Sequence, residues 1–141
     1  MVTMSTAGRI DASPDKVWAT VSDFGGLDAY FPPVARVEAS GSGVGMERQC
    51  TFPDGAQISE TLLALDHDER SLKYNVHDPN PFPFEGYVAT MRVNDLGEGS
   101  SELVWSADFT AQGIPDQDVT DMLDGLFQQG IDGLKELVES V

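Results

Sequence analysis

Arg48 and Glu60 are the residues whose types and spacing could do chemistry together. Between them, Phe52-Pro-Asp-Gly-Ala56 fits a three-residue hairpin loop, a type I turn closed by Gly55 in the left-handed region. Counting back along both strands from Phe52 and Ala56 sets Cys50 opposite Ile58, Arg48 opposite Glu60 and Met46 opposite Leu62. Strand alternation puts all of these on one face. A face otherwise made of Met, Cys, Phe, Ile and Leu solvates charge poorly, so the two charged groups must satisfy each other. One reading is a structural ion pair, buried or at a wetted sheet edge. The other is a polar anchor and catalytic pair. Arg48 would hold a carboxylate, enolate or phenolate oxygen, and Glu60 would act as general base. The neighbouring guanidinium favours the charged, weakly basic carboxylate, which opposes the base role.

Other candidates share this face or lie near it. If Leu65 faces Ser71 across the next turn, Leu62 pairs with Tyr74 and Glu60 with Val76, so Tyr74 joins the same face. Trp105 alternates with Leu103, Ala107 and Phe109, and Tyr87 with Ala89, Met91 and Val93. Both aromatic residues are expected to point inward. Asp78-Pro-Asn-Pro-Phe-Pro-Phe84 is a stiff loop carrying Phe82 and Phe84, either a plain connection or a lid. Trp18 reads as core; His67 and His77 read as solvent-facing. Two His and one Cys at unrelated spacings make no metal site. There is no phosphate loop, dinucleotide fingerprint or Ser-His-Asp arrangement, so no cofactor is expected.

These residues need elements to hold them. Asp11-Ala-Ser-Pro-Asp-Lys-Val-Trp18 marks a handover from strand to helix. Ser13 is the cap, Pro14 the first helical residue and Asp15 a first-turn acid. The helix is expected to run on to Phe24, and a second short helix over 27–31 to stop at Pro32-Pro33. Strands are expected at 2–11, 34–40, 45–52, 56–65, 71–77, 84–95 and 101–111, with turns short enough for antiparallel neighbours. A final helix is expected from about 115 to 140, its apolar stripe running from Val119 to Val138. Gly130 lies on that stripe, either for close packing or to leave room for a ligand.

The chain has 141 residues and 40% hydrophobic content, which fits one domain over 1–141 with a real core. It has no apolar run of membrane-span length, and its start lacks a secretory apolar segment. Both lead to an expected cytoplasmic location without membrane insertion. Net charge is −16, from 24 acidic and 8 basic side chains, which opposes binding to nucleic acid or anionic membranes. The acidic excess fits an ordinary acidic domain or a surface adapted to high salt.

The order strand, two short helices, six strands, long helix resembles the START-like superfamily. More closely, the chain resembles the SRPBCC polyketide cyclase/dehydrase branch. The likeness is carried by Ile10-Asp-Ala-Ser-Pro-Asp-Lys-Val-Trp18, Asp23-Phe-Gly-Gly-Leu27, Tyr30-Phe-Pro-Pro33, the run from Asp54 to Asp66, Tyr87-Val-Ala-Thr-Met-Arg-Val93 and Trp105-Ser-Ala-Asp-Phe109. It implies an α+β helix-grip fold, a curved seven-stranded antiparallel sheet around a long C-terminal helix. It also implies a cavity that receives a lipid, polyketide, steroid or other apolar small molecule. Some relatives are enzymes and many are carriers, so three expectations stand. The first is binding of an apolar or aromatic molecule by Arg48, Glu60, Tyr74, Phe82, Phe84, Tyr87, Trp105, Met122 and Phe127, with Tyr30 and Phe31 near the entrance. The second is a cyclase, aromatase or dehydratase using Glu60 and Arg48 in the same cavity. The third is a regulatory or chaperone-like module acting through its acidic surface. The expected oligomeric state is a monomer or weak homodimer.

Overall fold

The computed structural model describes residues 1–139. The chain runs β1 (Val2–Ile10), α1 (Pro14–Val21), a 3-10 helix (Phe24–Ala29), β2 (Arg36–Ser40), β3 (Glu47–Thr51), β4 (Gln57–Asp66), β5 (Ser71–Val76), β6 (Phe84–Gly97), β7 (Ser100–Ala111) and α2 (Asp116–Glu139). The seven strands form one antiparallel sheet in the order β1-β7-β6-β5-β4-β3-β2. With α2 laid against it, this is the helix-grip fold.

The capping signals act as their residue types require. Ser13 Oγ accepts from Lys16 N at 3.2 Å, and Pro14 opens α1. The helix ends earlier than expected, at Val21. Gly25 and Gly26 are poor helix formers, and the chain passes through a 3-10 helix at Phe24–Ala29 instead of a helix over 27–31. β2 is also shorter than expected, because a turn bond from Val34 N to Phe31 O (3.2 Å) occupies its first residues. The expected end of the last helix, Ser140, lies outside the described residues.

α2 buries Val119, Leu123, Phe127, Gly130, Ile131, Leu134 and Val138. Two glycines set its distance from the rest of the core. A Cβ on Gly130 would sit 2.6 Å from Trp105 Cζ3 and 2.9 Å from Phe31 Cδ1, so close packing accounts for this glycine. A Cβ on Gly133 would collide with the carbonyl oxygen of Tyr30. Trp105 and Phe127 then stack, with ring centroids 4.6 Å apart. Trp18 is buried as expected, and its Nε1 donates to Nδ1 of the exposed His67 at 3.0 Å. His77 is half-buried rather than free in solvent; its Nε2 shares a 2.5 Å hydrogen bond with Thr61 Oγ1. Among the described residues no helix is long and apolar enough to cross a membrane.

Candidate functional site

The β3–β4 hairpin places the central pair. Gly55, at φ +91°, closes the loop; Gly55 N donates to Phe52 O at 2.9 Å and Phe52 N to Ala56 O at 2.8 Å. That geometry brings Arg48 opposite Glu60 and Cys50 opposite Ile58. The β4–β5 turn pairs differently from the expectation. Ser71 faces Asp66 and Leu72 faces Leu65; a bulge between Leu62 and Ala64 then absorbs one residue. Beyond it, Leu62 faces Tyr74 and Glu60 faces Val76. The bulge cancels the offset at the turn, so Tyr74 reaches the expected face.

Arg48 and Glu60 are each 4% exposed, and Arg48 Nε donates to Glu60 Oε1 at 2.7 Å. A second guanidinium nitrogen donates to the carbonyl oxygen of Phe24 at 2.8 Å. The guanidinium carbon lies 3.8 Å from the Phe24 ring centroid and 4.9 Å from that of Tyr74. Burial is the largest single influence and discourages the positive charge, but the Glu60 carboxylate together with Tyr74, Cys50 and Tyr30 outweighs it, and the Arg48 pKa is raised above its ordinary value. The Cys50 thiol donates weakly to the same Glu60 oxygen at 3.8 Å. Burial, reinforced by the Glu60 charge, pushes that thiol up to about 12, so it remains protonated and a poor nucleophile.

A second polar group sits beside the first. Trp105 Nε1 donates to Tyr74 Oη at 3.1 Å, and the Tyr74 and Tyr87 hydroxyls lie 3.3 Å apart. Burial raises both phenols well above the ordinary tyrosine value, so both stay neutral.

Both polar groups face a cavity between sheet and α2. The space open to the centre of a water molecule is about 50 Å³. Strands supply Arg48, Cys50, Ile58, Glu60, Tyr74, Val76, Phe84, Tyr87 and Trp105 to its wall, and α2 supplies Leu123, Leu126 and Phe127. Leu27, Phe31 and Val34 come from the segment before β2, and Phe52 and Phe82 from the loops after β3 and β5. The loop from Asp78 to Phe84 is held by its own polar groups: Asn80 Oδ1 accepts from Phe82 N at 2.8 Å, and Asp78 Oδ2 from Gly86 N at 2.9 Å. It presents Phe82 edge-on to Phe52 and stacked on Phe84, which stacks in turn on Tyr87.

Of the residues singled out in the sequence, Phe31, Arg48, Glu60, Tyr74, Phe82, Phe84, Tyr87, Trp105 and Phe127 all lie on this wall. Two do not. Met122 is half-buried one helical turn before Leu126, which takes the wall position. Tyr30 is buried under α2 and borders an outer groove with Phe31, Pro32 and Gly133. Its phenol is pushed up to about 12 by burial. Sequence reasoning passed over Leu123, Leu126 and Val34. Leu126 had a signal, being four residues after Met122 on the same helix side. Among the described residues no cluster of three or more His, Cys, Asp or Glu is arranged to hold a metal ion.

A sheet gripping a helix over a cavity defines a broad structural class, and comparison with known proteins narrows it. The family model described as polyketide cyclase / dehydrase and lipid transport matches residues 1–139, and the chain belongs to that family. No match was found among curated proteins. Among solved structures, the protein XoxI from Bacillus cereus is 26% identical with a TM-score of 0.91, over 99% of this chain and 97% of that one. Norcoclaurine synthase from Thalictrum flavum, solved with dopamine and hydroxybenzaldehyde, is 21% identical with a TM-score of 0.77, over 97% and 86% of the two chains. The di-domain ARO/CYC protein BexL of the BE-7585A biosynthetic pathway is 17% identical with a TM-score of 0.83, over 99% of this chain and 47% of that one. At these identities the last two show a shared fold.

Proposed function

We propose that this protein binds an apolar, aromatic-compatible small molecule in the cavity between the sheet and α2. The observation that carries this reading is one largely aromatic wall into which two polar groups are set: the Arg48–Glu60 pair and the Tyr74–Tyr87–Trp105 chain. A few placed polar groups on an apolar wall are the usual make-up of a ligand site. The family description, which includes lipid transport, supports the same reading.

The cavity, at about 50 Å³, holds water-sized contents only. Ligand pockets run to roughly 300 Å³ and above. The wall must therefore open, and its half-buried members Phe52, Phe82 and Leu126 are the side chains with solvent to move into. The test is NMR titration of the ¹⁵N-labelled protein with small apolar aromatics. Shifts concentrated at Tyr74, Tyr87, Trp105 and Leu126 are expected. Shifts confined to surface residues, or none, would refute the cavity as a binding site.

Catalysis on a polyketide-like chain is the second reading. It is favoured by the Glu60 carboxylate standing on the cavity wall beside neutral phenols that can donate to a substrate oxygen. Folding a reactive chain and moving one proton would suffice for a cyclisation. Glu60→Gln should abolish turnover while ligand binding persists; undiminished turnover would remove Glu60 from the chemistry.

A further inference from the structure

The hydrogens of the second polar group do not balance. An indole N–H only donates, so Tyr74 Oη accepts from Trp105. The contact between the two phenols uses one of their two O–H hydrogens, whichever residue donates. The other hydrogen has no acceptor among the described residues, yet Tyr74 and Tyr87 are only 2% and 4% exposed. A buried donor left unmatched is costly, and both hydroxyl-bearing side chains lie on the cavity wall. The first polar group is, by contrast, neutral as a pair: Arg48 donates one hydrogen to Glu60 and one to the Phe24 carbonyl, its face is covered by two rings, and the two charges cancel.

We infer that the ligand presents a neutral acceptor oxygen, of the ketone, quinone or ester kind, to the spare hydroxyl hydrogen of the Tyr74–Tyr87 pair. This rests on the cavity being a binding site and specifies what it selects. In the empty protein the cavity has room for a water to meet the same hydrogen. The ligand's oxygen replaces that water while its apolar frame fills the opened space.

The experiment compares acetophenone, its hydrocarbon isostere α-methylstyrene, and benzoate. Binding is followed by NMR titration, and the carbonyl of ¹³C-labelled acetophenone by infrared difference spectroscopy. Bound acetophenone should show a C=O stretch below its value in hexane. The Tyr74→Phe/Tyr87→Phe double variant, which keeps only the Trp105 N–H, should move the stretch back towards that value. The same double substitution should weaken acetophenone by roughly fivefold relative to its effect on α-methylstyrene. Comparing the effect of the substitutions on two ligands removes their different hydrophobicities from the result. Acetophenone that binds with a hexane-like stretch in the wild-type protein would overturn the inference and leave the binding site standing. Benzoate binding more tightly than acetophenone would overturn it too, in favour of Arg48 as an anion anchor. Binding by neither neutral ligand would refute the cavity reading itself, and the inference with it. The wild-type spectrum decides the matter even if the double variant does not fold.

Discussion

Arg48 and Glu60 meet at 2.7 Å across β3 and β4, each 4% exposed, so each charge has the other as its replacement for water. Arg48→Met would leave Glu60 buried without a counter-charge. A loss of roughly 3–5 kcal/mol is expected in urea unfolding at neutral pH. Arg48→Met combined with Glu60→Leu should recover most of the stability. A single variant as stable as the wild type would show that water reaches the pair.

All three tyrosines of the chain, Tyr30, Tyr74 and Tyr87, are buried, and burial raises each phenol, Tyr30 to about 12. Raised acids bind their protons more tightly folded than unfolded. Their stabilisation is complete below the ordinary tyrosine value near 10 and is lost as pH climbs towards the folded values. Cys50, raised from 9.0 to about 12, adds to the same alkaline loss. An absorbance titration of phenolate should therefore show no tyrosine ionising near 10. All three should appear together with loss of the fold. A normal phenol in the native protein would contradict the burial of at least one of them.

The glycines of α2 should respond oppositely to the same change. A Cβ on Gly125 meets nothing within 4 Å, so Gly125→Ala should stabilise by up to about 1 kcal/mol through helix propensity. Gly133→Ala would drive a methyl into the Tyr30 carbonyl and should destabilise, by about 1–3 kcal/mol or more. Thermal unfolding of both variants side by side gives the comparison.

Phe82→Ala removes a half-buried ring from the cavity wall. The cost should fall below the roughly 3–5 kcal/mol of a full core truncation. Small aromatic ligands should bind faster, since less wall has to move. Stopped-flow fluorescence of Trp105 stacking against Phe127 is a suitable reporter; an unchanged association rate would place the entry route elsewhere.

Much of the site could be read from local rules, because local rules place it. A Gly at the third position of the Pro53–Gly55 loop fixes the hairpin register, and the register alone puts Arg48 opposite Glu60. The Tyr74 assignment came out right although the count began one residue off at Ser71, since the bulge after Leu62 restores it. A bulge depends on how the sheet bends over the helix, and no residue type announces it. The placements of Met122 and Tyr30 were not legible for a related reason. Which helix turn meets the cavity, and which side of the 30–33 segment faces inward, are set by how closely α2 descends on Gly130 and Gly133. The 3-10 helix was blurred because Gly25 and Gly26 favour no single backbone state.

The contact of Gly130 and Gly133 with Trp105, Phe31 and the Tyr30 backbone has a bearing on how the cavity can be redesigned. With no clearance at those points, α2 acts as a fixed beam, and the chamber beneath it is shaped from the strand side. Trimming Ile58 or Val76 would widen the chamber without shifting the beam. Bulkier residues at the two glycines would instead lift the beam off the sheet and lose the chamber altogether. Ligand preference in this framework is therefore open to substitution at the sheet while the glycines keep the scaffold in register.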